Sequence, residues 1–173
     1  LAALEGKLGF TPSGRSVLVL GAGGAARSAL VSLALAGAAR IEIVNRSLEK
    51  GEELAGELGG RLSVRLAAAR LERLADAGYL KGFDLIVNTT SVGMAGDSFP
   101  GLSLSHLKQG AVLYDMVYAP PVTPLMREAA ACGVRNANGL GMLVAQGEAA
   151  FAIWTGVRPP PGCMEGALAP LLH

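Results

Sequence analysis

The chain has 173 residues, of which 51% are hydrophobic and 17% are charged, and its 15 basic and 14 acidic side chains leave a formal net charge of +1. This length and hydrophobicity suit one globular domain and exclude a disordered chain, which combines low hydrophobicity with high net charge. The near-neutral balance gives no electrostatic basis for a nucleic-acid or anionic-membrane partner.

The start of the chain and its cysteines carry a second set of expectations. No apolar run reaches the roughly 18 residues that a membrane-spanning helix needs, and no basic-then-apolar leader is visible, so we expect a cytoplasmic protein. The chain begins with Leu1 rather than methionine, which we interpret as a cut edge within a longer protein. Cys132 lies in an alanine-rich helical run and is expected in the core, with a disulfide to Cys163 as the lesser alternative. No metal site is expected, because these two cysteines are too far apart for a ligand pair.

Short β-branched runs alternate with longer helical runs along the chain. Strands are predicted at residues 16–20, 41–44, 61–65, 84–88, 111–114 and 134–137. Helices are predicted at residues 1–8, 25–37, 47–59, from 66 to 80, and at 124–132, 140–154 and 164–172, with Ser47 as an N-terminal cap. This alternation predicts an α/β fold, a doubly wound and mostly parallel sheet with helices on both faces. Ligands of such sheets bind beyond the carboxyl ends of the strands.

A glycine-rich segment follows the first predicted strand and opens the helix at 25–37. It runs Gly21-Ala22-Gly23-Gly24-Ala25 and fits the Rossmann-like GxGxxG/A pattern with a small residue, Ala26, in the last position. Its glycines allow a tight turn and close approach of a pyrophosphate, which the free N–H groups of the helix start would bind. A plain tight strand–helix connection is the alternative, but the order of strand, loop, helix and strand favours an NAD(P) site.

The second predicted strand ends in a basic turn. NAD sites usually have Asp or Glu at this position, accepting hydrogen bonds from the ribose hydroxyls. Here the chain has Asn45, Arg46 and Ser47, followed by Lys50 in the next helix. A neutral amide does not repel a 2′-phosphate, and a guanidinium can bind it through two hydrogen bonds. NADP is therefore favoured over NAD, unless Arg46 and Lys50 are only solvated surface charges.

Four further segments complete a recognisable set of motifs. They are Asn88-Thr-Thr-Ser-Val-Gly-Met94, Tyr114-Asp-Met-Val-Tyr-Ala-Pro120, Asn138-Gly-Leu-Gly-Met-Leu-Val-Ala-Gln146 and Ala150-Phe-Ala-Ile-Trp-Thr-Gly156. Together with the glycine-rich loop and the Asn-Arg-Ser turn, these segments resemble the nucleotide-binding half of the shikimate dehydrogenases. The resemblance extends from about Phe10 to the end of the chain.

The resemblance implies a function and roles for individual residues. The family reduces 3-dehydroshikimate reversibly to shikimate with NADPH, so a small-molecule substrate and NADP are expected. The family more often has Thr and Arg where this chain has Ser47 and Lys50; Lys50 keeps the positive charge but lacks the paired donors of a guanidinium. By motif, the cofactor pyrophosphate would contact Gly21, Ala22, Gly23, Gly24 and Ala25, and its 2′-phosphate would contact Asn45, Arg46, Ser47 and Lys50. The rest of the cofactor would contact Thr90, Ser91, Met116, Val117 and Gly139. The substrate would contact Tyr118 and Gln146.

Several of these residues also have ordinary structural explanations. Met116 could be plain core, and Tyr118 before two prolines could hold a loop. Gln146 lies on an otherwise apolar helix, where a buried amide needs polar partners that a polyhydroxylated ring would supply. Asp115 is expected to hold its loop rather than to transfer protons.

The resemblance also implies that part of the enzyme is absent from this chain. The family transfers protons with a lysine and an aspartate of a separate, N-terminal substrate domain, so no catalytic residue is expected here. We divide the chain into a linker at 1–14, an NADP-binding domain at 15–156 and a proline-led segment with a helix at 157–173. The apolar faces of the two terminal helices would be exposed, and self-association is expected. The alternatives are a non-catalytic NADP-binding or regulatory module, and a quinate or shikimate dehydrogenase that uses NAD.

Overall fold

A computed structural model describes residues 1–160 and 162–168. Its sheet runs parallel throughout, in the strand order β3-β2-β1-β4-β5-β6. The order reverses between β1 and β4, which places a switch point beside the first strand. This confirms the predicted α/β, doubly wound fold. The strands are β1 (Ser16–Leu20), β2 (Arg40–Asn45), β3 (Arg65–Arg70), β4 (Leu85–Asn88), β5 (Val112–Asp115) and β6 (Arg135–Asn138).

Helices connect the strands and cover both faces of the sheet. The predicted last helix is described only as far as Leu168, and its remainder lies outside the described residues. The helices are α1 (Ala2–Leu8), α2 (Gly24–Leu35), α3 (Leu48–Gly59), α4 (Ala77–Leu80), α5 (Pro124–Ala131), α6 (Leu140–Thr155) and α7 (Cys163–Leu168), with 3-10 turns at Leu71–Ala75 and Leu104–His106.

Two apolar cores form because alternate side chains of each strand point to opposite faces. On one face Val17 and Val19 of β1 pack with Leu30 of α2. On the other face Leu18 and Leu20 pack with side chains from α4, α5 and the 3-10 turns. Both faces of the central strands are therefore buried, which explains why their sequences are continuous apolar runs.

The third strand is one place where the sequence prediction is wrong. We expected a strand at 61–65 and helix from 66 to 80, but β3 occupies Arg65–Arg70, ahead of the 3-10 turn and the four-residue helix α4. The run of alanines at 67–69 favours helix by intrinsic propensity. It pairs instead with β2, where the small side chains fit closely under α3, since a Cβ added at Gly51 would lie 3.1 Å from the Ala68 Cβ.

The exposed apolar surface also differs from expectation. Leu4 and Leu8 of α1 are buried at 6% and 3% exposure, not exposed as expected. The Arg135 guanidinium of β6 donates a hydrogen bond to the Leu8 carbonyl and holds α1 against the sheet edge. No residue of α6 is buried, although its sequence is strongly apolar, and Trp154 near its end is 83% exposed.

Two smaller predictions have mixed outcomes. Cys132 is exposed rather than part of the core, because α5 ends at Ala131 and Cys132 is its C-terminal cap. Both Cys132 and Cys163 are free thiols. Within the described part of the chain no helix has the length and apolar character needed to cross a membrane. The cytoplasmic location and the three segment boundaries stay predictions.

A carboxylate joins three segments at the amino-terminal edge of the sheet. Asp84 accepts a hydrogen bond from the Ser16 backbone N–H at 2.9 Å and pairs with Lys108 at 2.8 Å and Arg15 at 3.5 Å. Burial works to raise the pKa of this carboxyl, but the hydrogen bonds from Lys108 and Ser16 and the two positive charges together lower it. Asp84 therefore stabilises the folded state in its charged form.

We expect Asp84→Asn to lower the free energy of unfolding by about 1 to 2 kcal/mol at pH 7. Because the folded pKa lies below the ordinary value of 3.8, this stability is fully present above that value and is lost as the pH falls through the folded pKa. Urea unfolding from pH 7 to about pH 2 should show the two proteins converging at low pH. Glu52→Gln, at an exposed carboxylate, is the control and should match the wild type throughout; a gap for Asp84→Asn that persists unchanged at pH 2 would contradict this assignment.

Candidate dinucleotide-binding site

The glycine-rich loop lies between the end of β1 and the start of α2. The Gly21 N–H donates to the Val44 carbonyl at 2.8 Å, which ties the loop to the end of β2. Gly23 is the N-terminal cap of α2, and Gly23, Gly24 and Ala25 are exposed. The first N–H groups of a 12-residue helix thus face solvent at the carboxyl edge of the sheet.

The glycines of this loop have different reasons to be glycine. Gly21 has φ +107°, and a Cβ there would lie 2.7 Å from Thr89 Oγ1 and 2.8 Å from Thr90 Cγ2. Gly23 and Gly24 have negative φ, and a Cβ at either would meet no protein atom within 4 Å. Protein packing therefore explains Gly21, while the space beside Gly23 and Gly24 is open to a ligand that approaches the backbone.

The turn after β2 lies beside this loop, because β1 and β2 are paired in parallel with Leu20 opposite Val44. The Asn45 side chain donates to the Ser47 carbonyl at 2.9 Å and fixes the turn. Arg46 and Lys50 are exposed, and neither forms an ion pair with any other described residue. Beside the loop there are thus two exposed cationic side chains that pair with no acidic side chain among the described residues.

Ser47 lies at the N-terminus of α3, as predicted, but makes no side-chain capping bond. Its hydroxyl instead donates to Glu49 Oε2 at 2.8 Å. The sequence prediction of a serine cap is therefore right for the position and wrong for the hydrogen bond. Glu49 was not considered at the sequence level, and its contact with Ser47 brings a carboxylate into the basic turn.

A buried polar network holds the loops after β4 and β5. Asn88 Nδ2 donates to Asp115 Oδ1 at 2.9 Å, and both residues are fully buried. The Asn88 Oδ1 accepts from the Thr90 hydroxyl, and the Asp115 carboxylate accepts from the Thr123 hydroxyl and the Val117 N–H. Burial raises the pKa of the Asp115 carboxyl against the opposing effect of these donors. Asp115 holds its loop, as expected, and has no exposed oxygen with which to transfer protons.

Met116 and Gly139, the two residues expected to flank the nicotinamide, lie against each other. A Cβ added at Gly139 would lie only 2.1 Å from the Met116 carbonyl oxygen, so a larger residue cannot stand there. The Gly139 N–H donates to the Val117 carbonyl at 3.1 Å. The Val117 side chain is 5% exposed and belongs to the core, so a contact with a ligand would come from its backbone.

A cavity of about 630 Å³ opens between α2 and α6. It brings together Gly24 and Ala25 of the glycine-rich loop with Met116 and Gln146. Gln146 is exposed, not buried as expected, because α6 is only partly covered: Met142 packs against the core, but no residue of the helix is fully buried. Tyr118 is 40% exposed and does not line this cavity, and Ser91 is exposed in the loop after β4.

Tyr114, which the sequence did not indicate as a site residue, lines this cavity. Its side chain is 6% exposed, and its hydroxyl makes no hydrogen bond within the described part of the chain. Burial raises the pKa of Tyr114 to about 12. The only signal in the sequence was the alternation of β5, which could not show that α6 would cover this face.

Two family profiles match the sequence. The profile described as shikimate / quinate 5-dehydrogenase matches residues 5–94, and the one described as shikimate 5'-dehydrogenase C-terminal domain matches residues 139–169. The first contains the glycine-rich loop and the basic turn, and the second contains Gly139 and Gln146.

Full-length relatives and solved structures are similar over nearly the whole chain. The shikimate dehydrogenase (NADP(+)) of a Geobacter species is 66% identical over 98% of this chain, which spans 59% of that relative. The shikimate 5-dehydrogenase of Listeria monocytogenes, crystallised with shikimate and NAD, has a TM-score of 0.86 at 28% identity, over 96% of this chain and 59% of its own. The ligand-free 5-ketofructose reductase of a Gluconobacter species has a TM-score of 0.83 at 34% identity, over 99% of this chain and 61% of its own.

Two alanine substitutions test the different roles of the loop glycines. We expect Gly21→Ala to lower the free energy of unfolding by about 2 to 4 kcal/mol, since it combines a positive φ with a close contact. Gly23→Ala, which meets only open space, should lower it by less than about 1 kcal/mol. Urea unfolding of both variants measures the difference. Equal stabilities would show that the contact with Thr89 and Thr90 does not constrain Gly21.

Proposed function

The chain belongs to the shikimate / quinate 5-dehydrogenase family, and on this premise we propose that it binds NADP(H) for the reversible reduction of 3-dehydroshikimate to shikimate. The observation that carries the proposal is the convergence of an open helix N-terminus and unpaired cations at one edge of the sheet. When bound, NADPH supplies the hydride, and the protein supplies binding and orientation. The name of the Geobacter relative supports the same cofactor.

The pyrophosphate would bind at Gly23 and Gly24. A side chain at either position would project into space that no protein atom fills, so this cradle fits a group that must approach the backbone closely. The helix dipole adds to the attraction, since the N-terminus carries a partial positive charge.

The 2′-phosphate would bind at the basic turn after β2. Asn45 holds the turn through its bond to the Ser47 carbonyl and leaves no acidic group at the strand end. Arg46 offers two parallel donors to a phosphate, while Lys50 offers a point charge. Both side chains are free to reorient, because they are exposed and unpaired with any described residue.

The nicotinamide and the substrate would lie toward α6. Met116 lines the cavity with Gly139 against its carbonyl, and the Thr90 hydroxyl donates to Asn88 in the loop after β4. Gln146 lines the cavity from α6, and exposed Tyr118 lies in the loop that follows Met116. An amide and a phenol hydroxyl both suit the hydroxyl groups of shikimate.

The proton-transfer residues would belong to a second domain that is absent from this chain. The proposal is supported by the 59% of the Geobacter relative that the chain spans and by the uncovered apolar surface of α6. Residues 15–156 would form the cofactor-binding domain, with 1–14 and 157–173 joining it to the substrate domain. A non-catalytic NADP module remains the alternative when no such domain is present in the protein.

Use of NAD is a second candidate because of one observation in the basic turn. Glu49 is a carboxylate within 2.8 Å of the Ser47 hydroxyl, and carboxylates near this position accept hydrogen bonds from the ribose of NAD. The Listeria relative was crystallised with NAD. The two cofactors are distinguished by the response to removing Arg46.

We expect Arg46→Ala to weaken NADP+ binding by about 10- to 100-fold and NAD+ binding by less than about 2-fold, since only NADP+ carries the phosphate that Arg46 contacts. Titration calorimetry with each cofactor measures both affinities. Arg61→Ala removes an exposed charge at the far end of α3 and is the control. Tighter binding of NAD+ than NADP+ by the wild type would contradict the proposed cofactor.

The purified 173-residue chain should bind NADPH and show no shikimate-dependent reduction of NADP+. The physical reason is that the cofactor can be bound here, while the lysine and aspartate that transfer the proton in this family would lie in the upstream domain. NADPH fluorescence measures binding, and absorbance at 340 nm measures turnover. The protein carrying its upstream domain is the positive control; turnover by the 173-residue chain alone would overturn the assignment of the proton-transfer residues to another domain.

A further inference from the structure

The Glu49 carboxylate lies within the basic edge formed by the ends of β2 and β3. Glu49 Oε2 accepts from the Ser47 hydroxyl at 2.8 Å, and Glu49 Oε1 lies 3.7 Å from an Arg70 guanidinium nitrogen. The Glu49 and Arg70 side chains are 73% and 59% exposed, so neither is fixed by packing. The carboxylate thus bridges the first turn of α3 and the last residue of β3.

The strand register places Arg70 at the same edge as the basic turn. β2 and β3 are paired in parallel with Asn45 opposite Arg70. Because the carboxyl ends of paired parallel strands meet at one edge, Arg70 lies beside the strand end that leads into Arg46 and Lys50. These three cationic residues and Glu49 therefore lie at this edge, and Glu52, Glu72 and Arg73 line a hollow beside Arg70.

Glu49 is held by the kinds of donors that a phosphate uses. Its pKa is lowered by its own backbone N–H, by the Ser47 hydroxyl and by the charge of Arg70. A helix-start N–H, a hydroxyl and a guanidinium are also typical donors to phosphate oxygens. The carboxylate therefore occupies, as a single negative charge, a set of groups suited to a doubly charged anion.

We propose that Arg70 is a further specificity-determining residue that binds the cofactor 2′-phosphate, and that the Glu49 carboxylate pairs with Arg70 until the phosphate enters and displaces it. This inference rests on the proposed use of NADP. The resemblance to the family implied only Asn45, Arg46, Ser47 and Lys50 for the phosphate, and β3 was not correctly located from the sequence.

Phosphate binding would be an exchange of anions. The two negative groups repel each other, so Glu49 must turn toward solvent when the phosphate arrives, which its exposure allows. Arg70 is then released from Glu49 and pairs with the phosphate, whose higher charge gives the stronger contact. Discrimination between NADP and NAD would thus depend on Arg70 and be opposed by Glu49.

The test uses two small probes that differ only in the 2′-phosphate. Adenosine 2′,5′-bisphosphate and adenosine 5′-monophosphate are titrated into the 173-residue chain and its variants by calorimetry at low salt. We expect Arg70→Ala to weaken the bisphosphate about 5- to 10-fold and the monophosphate less than about 2-fold. Arg70→Lys should be intermediate, and Glu49→Gln should strengthen the bisphosphate about 3- to 10-fold.

The matched control is Arg65→Ala, which removes the same charge from the opposite end of β3. The inference is overturned if Arg70→Ala weakens the bisphosphate no more than Arg65→Ala does. It is also overturned if Glu49→Gln weakens both probes, since Glu49 would then be a ribose acceptor. If the wild-type chain binds the monophosphate as tightly as the bisphosphate, both the proposed cofactor preference and this inference are overturned. If bisphosphate binding is weakened by Arg46→Ala but not by Arg70→Ala, this inference alone is overturned.

Discussion

The hydrogen bond between Asn88 and Asp115 is the interaction on which the organisation of this edge depends. It joins two neighbouring strands at the same register position, inside a fully buried environment. Each partner also holds a loop: Asn88 Oδ1 accepts from the Thr90 hydroxyl, and Asp115 Oδ1, which accepts from Asn88, accepts from the Val117 N–H as well. Removing either partner would leave a buried polar group unsatisfied, so the two loops are constrained together.

Much of the fold was predictable because local sequence and long-range packing agree. The run at Ser16–Leu20 is apolar on both faces, glycines follow it, and an uninterrupted helix comes next. The third strand was not predictable, because the contact that decides it joins Ala68 to Gly51 across two elements. Alanine favours helix in isolation, and only pairing with β2 and packing beneath α3 reverse that preference.

In the candidate site, too, the parts formed by contiguous sequence were predictable and the parts formed by long-range packing were not. The glycine-rich loop and the basic turn are contiguous segments, so their chemistry is visible in the sequence. The groups missed are those brought together by topology: Tyr114 at the cavity wall and Arg70 opposite Asn45. Gln146 was correctly placed on α6 but wrongly expected to be buried, because burial depends on what covers a helix and not on its composition.

The chain contains one tryptophan, Trp154, near the end of α6. Its indole is 83% exposed, in the part of α6 where Phe151 and Ile153 are also exposed. Any protein surface that covers α6 would move this indole from water into an apolar environment and shift its fluorescence emission to shorter wavelength. The molecule thus carries an intrinsic optical reporter of docking at that helix, separate from the nucleotide edge at the glycine-rich loop.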